Sequence, residues 1–253
     1  MPPPGPQRRC PPVRSGLLGL VHLLTAQDGT GADTSRISLS SGPSGHTIIQ
    51  VDAQGQNCIL LYGGSNQEIT RQEVDQALKG FGPGDYLILQ NEINCLDYIM
   101  EQGAKKGLSI VFNPSPIDAH ISALPLHLVS LLVFNEIEGA ALAGTSEEGQ
   151  ILDVLRSRWP SCRLLLTLGS RGCIYDDGTQ RISQGVYRTK AVDTTAAGDT
   201  FTGYFVACLA AGMDAPSCLD LASRAAAIAV SRPGAAPSIP TMDEVRSSTL
   251  SLA

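Results

Sequence analysis

The first regular signal along the chain is a pair of β-rich runs, Thr47 to Val51 and Cys58 to Tyr62, around Asp52-Ala53-Gln54-Gly55-Gln56, which predicts a hairpin. Further on, Tyr86–Leu89, Ser109–Phe112, Leu131–Phe134 and Leu164–Thr167 are short, nearly continuous apolar runs, the pattern of strands covered on both faces. Helical segments separate them, including Asn94–Lys106 and Glu147–Arg158. Strands alternating with helices predict a parallel sheet with helices on both sides, because parallel neighbours need crossovers. The class is therefore α/β. Near the end the alternation stops: Asp199 to Ala211 and Pro216 to Ser231 read as two successive helices. Phe201, Phe205, Cys208 and Leu209 share a face of the first, and Ala222, Ala225, Ala226, Ala227 and Ala229 let another backbone approach the second. Gly212 suits the stop of one and Pro216 the first turn of the other.

Residues 1–43 depart from this pattern. Six prolines precede Arg14, a short apolar run spans Leu17 to Leu24, and a Gly/Ser/Thr-rich stretch follows. A targeting segment is one reading; six prolines within twelve residues favour an extension without a packed fold. The expected division is thus 1–43 as extension and 44–253 as the folded domain, with the hairpin in 44–64.

Composition narrows the function. Eighteen Lys+Arg against 24 Asp+Glu, a net charge of −6, is the wrong footprint for a nucleic-acid partner. No apolar stretch approaches the ~18 residues of a membrane helix, so no membrane partner is expected. Seven scattered cysteines without C-x-x-C argue against a zinc site or disulfide framework and for a reducing, cytoplasmic setting. His22, His46, His120 and His127 lack metal spacing.

In open α/β sheets ligands bind at the carboxyl ends of the strands. Here those ends are polar: Gln90-Asn91-Glu92, Asn113-Pro114-Ser115-Pro116, Asn135-Glu136-Ile137-Glu138 and Leu168-Gly169-Ser170-Arg171-Gly172. Each alone is an ordinary turn, and Asn113 or Asn135 reads equally as a helix cap. The sharpest segment, Asp193-Thr194-Thr195-Ala196-Ala197-Gly198-Asp199-Thr200-Phe201, runs from a small-residue turn straight into a helix. Unsatisfied N–H groups there can hold a phosphoryl group, with those of Ala197 and Gly198 facing the transferring oxygens. Asp199 beside them can take a hydroxyl proton; its plainer reading is a first-turn acid. Neither G-x-x-x-x-G-K-[ST] nor G-x-G-x-x-G occurs, which argues against a P-loop NTPase or a dinucleotide dehydrogenase.

The run Ala191 to Phe201, with Asn135-x-x-Glu138, Thr167-Leu168-Gly169-Ser170-Arg171-Gly172 and Arg232-Pro233-Gly234-Ala235-Ala236-Pro237-Ser238 in the same order, resembles the ribokinases of the phosphofructokinase-B carbohydrate kinase family. The resemblance runs from about Pro43 to Pro240. It implies a three-layer α/β/α ribokinase-like sandwich and ATP-dependent phosphorylation of D-ribose at its 5-hydroxyl. Asp199 would be the general base, with Ala196, Ala197, Gly198 and Asp199 forming the anion hole. Asn135, Thr167, Leu168, Gly169, Ser170, Arg171, Gly172, Gly198 and Ser223 would contact ATP, and Glu92 the sugar. Glu138 would organise magnesium through water, and Asp193, Thr195, Ala229, Arg232, Gly234 and Ser238 would ligate an activating potassium ion.

The family also begins with a strand bearing a sugar-binding aspartate and a Gly-Gly-Lys-Gly-Ala-Asn loop, neither of which occurs in residues 1–43. The resemblance therefore implies an N-terminally truncated member with a partial β-lid, an exposed sheet edge and a weakened case for the family's homodimer. An active pentose kinase and a catalytically impaired nucleotide- or partner-binding isoform are the two expectations.

Overall fold

The computed structural model describes residues 40–51 and 57–253. The expectations for residues 1–39 and for the centre of the predicted hairpin turn lie outside the described residues.

The chain divides into two compact units, one comprising residues up to Gly80 with Glu92–Ile99, the other Phe81–Asn91 with Met100–Ala253. In the first, β1 (His46–Val51) and β2 (Asn57–Tyr62) pair antiparallel, as the two β-rich runs predict. Ile48, Leu60, Leu61 and Tyr62 of this hairpin are all at least half exposed. The turn after it is tied down by the Ser65 N–H donating to the Pro43 carbonyl at 2.9 Å. Helix α1 (Arg71–Ala77) follows, closed by a reciprocal Thr70–Glu73 capping box.

The larger unit holds a six-stranded sheet ordered β3 (Tyr86–Gln90), β4 (Ser109–Asn113), β5 (Leu131–Asn135), β6 (Arg163–Thr167), β7 (Cys173–Asp176) and β8 (Arg181–Gln184). The first four are parallel, in the expected places. The expected all-parallel sheet is corrected at its far side, where β6, β7 and β8 run antiparallel. Strands β7 and β8 are only four residues long, and their loop carries Asp177-Gly178, with Gly178 at φ +88°. An Asp-Gly pair between short β-rich runs is a hairpin signal that apolar periodicity alone does not register.

Alternation along the central strands feeds two cores. Val111, Leu131, Val133 and Leu165 face a cluster with Phe201, Phe205, Cys208, Cys218, Leu219 and Ala222, supplied by α5 (Ala197–Ala210) and α6 (Ala215–Val230). Ala225 and Ala229 are also fully buried, so the small-residue face does bring α6 close to its neighbours. On the opposite face Gly139 of α3 (Glu136–Ala143) sits close against Phe134 of the sheet and Ile151 of α4 (Glu148–Arg158). Leu87 and Ile110 meet Gly103, in the second half of α2 (Leu96–Lys105). Helices on both faces of a mostly parallel sheet make the three-layer α/β/α arrangement. A short α7 (Met242–Ser247) closes the chain. Among the described residues β3 is one edge of the sheet, and its Ile88 is 54% exposed.

Candidate active site

The parallel strands bring their carboxyl ends to one edge: Gln90 lies opposite Asn113, and Asn135 opposite Thr167. Side chains and carbonyls then knit the loops together. The Asn91 N–H donates to the Ser115 carbonyl at 3.0 Å, and its Nδ2 to the Pro116 carbonyl at 2.7 Å and Asp118 Oδ2 at 3.1 Å. From the end of β3, Gln90 Nε2 reaches Asp199 Oδ1 at 3.5 Å, across 109 positions of sequence.

Asp199 sits in the first turn of α5 and is exposed. The helix is entered through Ala196, held left-handed at φ +60°, and no side chain caps it. A non-glycine residue in that conformation costs about 1–2 kcal/mol. The turn accepts the strain and gains an open helix N-terminus. The Ala197 N–H, expected to be free, instead donates to the Thr194 carbonyl at 3.2 Å. Gly198 and Asp199 follow within the first turn, where N–H groups have no intrahelical acceptor, and a methyl group built on Gly198 would meet nothing within 4 Å. An uncapped first turn thus stands beside an exposed carboxylate.

Asp193 fastens this turn to the chain's last loop. Its Oδ1 accepts from the Thr195 N–H and its Oδ2 from the Gly234 N–H, both at 2.9 Å. The Thr195 side chain and these backbone donors hold its carboxyl below the ordinary range. Ala229 accepts from the Arg232 N–H at 3.0 Å, Arg232 pairs with Glu244 at 2.6 Å, and fully buried Ser238 donates to the Ala235 carbonyl at 2.7 Å. The six expected cation ligands therefore fall on the turn before α5, the last turn of α6 and the loop after it, with Asp193 joining the turn to that loop.

Asn135 and Glu138 form a reciprocal capping box on α3: Asn135 Oδ1 accepts from the Glu138 N–H at 2.9 Å and Glu138 Oε2 from the Asn135 N–H at 3.0 Å. Both readings of Asn135 are thus compatible, since the cap itself places it at the strand end. Glu138 is only 5% exposed. After β6, Leu168 N–H donates to the Gly172 carbonyl at 2.8 Å, closing a tight turn through Gly169, Ser170 and Arg171. Gly172, at φ +93°, leaves no room for a side chain, since a Cβ would lie 2.0 Å from the Gln184 carbonyl oxygen. Ser223 is buried on α6. Glu92 belongs to the smaller unit, where its carbonyl accepts from Gln67 Nε2 at 3.1 Å.

Among the described residues no three His, Cys, Asp or Glu side chains converge as a metal cluster, and no helix is long and apolar enough to cross a membrane. Gln90, absent from the expected site, is the functional candidate that sequence reasoning missed. It stood within a polar strand end, but nothing in the sequence pairs position 90 with 199.

The pfkB family carbohydrate kinase profile matches residues 22–242, starting further toward the N-terminus than the motifs from Pro43 onward. Ribokinase of Staphylococcus aureus is 33% identical over 221 residues, covering 84% of this chain and 72% of that protein. Deoxyribokinase of Salmonella typhi is 26% identical over 209 residues, covering 79% and 68%. The structure of Arabidopsis thaliana ribokinase complexed with ribose and ATP superposes with a TM-score of 0.81 at 26% identity, covering 94% of this chain and 80% of that one. This chain therefore belongs to the pfkB family of carbohydrate kinases and is a kinase of ribokinase type.

Proposed function

We propose that the protein transfers the γ-phosphoryl group of ATP to the 5-hydroxyl of D-ribose, giving D-ribose 5-phosphate and ADP. The observation that carries this reading is the exposed Asp199 carboxylate beside the uncapped first turn of α5, on the carboxyl edge of the sheet. Asp199 accepts the hydroxyl proton as the sugar oxygen bonds to the γ-phosphorus. The bond from phosphorus to the β,γ-bridging oxygen breaks, and ADP leaves. The first-turn N–H groups of Gly198 and Asp199 stabilise charge on the transferring oxygens, with Ala196 shaping the turn. Ala197 contributes through the same turn, its own N–H being held by Thr194.

On this reading Thr167 to Gly172 line the nucleotide, Asn135 approaches its phosphates, Ser223 lies towards the adenine, and Glu92 contacts the sugar. Glu138 fits a magnesium ion held mainly by phosphates and water, since its cap leaves one carboxylate oxygen over, and such an ion would offset phosphate charge. Carbonyl and hydroxyl oxygens of Asp193, Thr195, Ala229, Arg232, Gly234 and Ser238 suit a weakly hydrated potassium ion, which would steady the anion-accepting turn. A cytoplasmic setting agrees with the unpaired cysteines among the described residues.

The test is product analysis. The purified chain is incubated with ATP, magnesium and potassium and, separately, with D-ribose and 2-deoxy-D-ribose, and products are followed by phosphorus NMR. The expected result is one ADP per ribose 5-phosphate, with ribose preferred. ATP binding by calorimetry without sugar phosphate from either pentose would contradict the proposal and favour a nucleotide-binding role.

A further inference from the structure

The side chain of Arg171, in the turn after β6, is engaged by two carboxylates. Its Nη2 pairs with Glu136 Oε1 at 2.8 Å, and its Nη1 pairs with Glu148 Oε1. Glu136 opens α3 directly after Asn135, and Glu148 opens α4. One guanidinium thus ties three elements: the 169–171 turn, the start of the helix capped by Asn135, and the start of the next helix. The turn needs a tether. Gly169 stands at φ +55° with open space around it, and the turn's own closure is the Leu168 to Gly172 hydrogen bond and the short turn bonds within it. A planar guanidinium can engage two carboxylates at once through separate nitrogens, which a single ammonium cannot do with the same geometry.

We infer that Arg171 is a positioning residue: it holds the Gly169–Arg171 turn against the N-termini of α3 and α4, so that the turn is already shaped to receive ATP. This rests on the reading that the backbone of residues 167–172 lines the nucleotide. It differs from a direct role, in which the guanidinium would leave the two carboxylates and contact the phosphates itself.

Four variants separate these roles: Arg171→Ala, Arg171→Lys, the pair Glu136→Ala/Glu148→Ala, and the triple combination. Each is measured by steady-state kinetics, ATP calorimetry, melting temperature and amide hydrogen exchange of residues 168–172. Loss of a partly exposed two-armed ion pair is expected to raise KM and Kd for ATP roughly three- to tenfold in Arg171→Ala, with kcat and the sugar KM within about twofold. Arg171→Lys does not restore ATP affinity. The Glu136→Ala/Glu148→Ala pair matches Arg171→Ala, and the triple variant is no weaker than either, because all cut one tether. Melting temperatures stay close to wild type, while exchange in the turn accelerates.

Unchanged or tighter ATP binding by the glutamate pair would overturn the tether in favour of direct phosphate contact. Unchanged exchange in Arg171→Ala would overturn it outright, and so would a parallel loss of every kinetic constant with a large fall in melting temperature. Faster exchange in Arg171→Ala with no ATP binding by the wild type would leave the tether standing and refute the nucleotide reading on which its purpose rests.

Discussion

At the scale of single residues, the site is made from conformations that few side chains tolerate. Gly172 combines φ +93° with a carbonyl oxygen 2.0 Å from where its Cβ would be. Gly172→Ala should therefore cost about 3 kcal/mol, from strain and displacement of the Gln184 backbone, and lower the melting temperature by about 6–12 °C. Differential scanning calorimetry checks this, and KM for ATP should rise with it. Much at this scale was legible in the sequence, because glycines, a small-residue turn and an aspartate at a helix start carry their own chemistry. What was not legible is pairing. The contact of Gln90 with Asp199, the Asp193 bond to Gly234 and the engagement of the Ala197 N–H by Thr194 depend on how distant or strained backbone is brought together.

At the scale of elements, the two side chains that cap helix α3 are the ones to which the proposed function also assigns chemistry. Asn135→Ala removes the cap and strands buried Glu138, so it should cost about 1 kcal/mol and lower the melting temperature by about 2–4 °C. Glu138→Gln keeps a residue able to complete the capping box and should melt within about 1 °C of wild type. Its turnover should nevertheless fall, if the Glu138 charge serves the magnesium-bound phosphates; a melting scan beside a turnover assay separates the two. The parallel strands and both late helices were predictable because they are long or fully apolar. Strands β7 and β8 were not: Cys173–Asp176 and Arg181–Gln184 are short, and the second alternates between exposed and half-buried positions. Helix boundaries moved by one or two residues, since caps rather than apolar positions set them.

At the scale of the whole molecule, the antiparallel side of the sheet is secured by charge as well as by packing. Asp176 is 5% exposed, and accepts from Arg156 Nη2 at 2.7 Å and Arg181 Nε at 2.8 Å, while Arg181 also meets Asp153 at 2.8 Å. Burial pushes the Asp176 carboxyl up, but hydrogen bonds from Arg181, the Gly178 N–H and Arg156 outweigh it and hold it below the ordinary range. A depressed carboxylate contributes stability that is fully present above its unfolded pKa and fades as pH falls through its folded one. Denaturant titrations should therefore show stability declining below about pH 4. Asp176→Asn should lose about 3 kcal/mol at pH 7 and flatten that acid decline. The charge balance was readable from composition; this network was not, because its four partners come from α4, β7 and β8. Among the described residues, Ile88 on β3 and Ile48, Leu60, Leu61 and Tyr62 of the hairpin are exposed apolar positions on strands.

On the proposed function the Asp199 carboxylate, set beside open amides at a helix start, removes the hydroxyl proton during phosphoryl transfer. The most direct test of this step is Asp199→Asn, with ATP affinity measured by calorimetry and turnover measured on ribose. The amide preserves the size of the side chain, so ATP affinity should stay within a few-fold of wild type. Turnover should fall by about 10²- to 10⁴-fold. A variant that binds ATP normally and phosphorylates ribose at the wild-type rate would contradict the account.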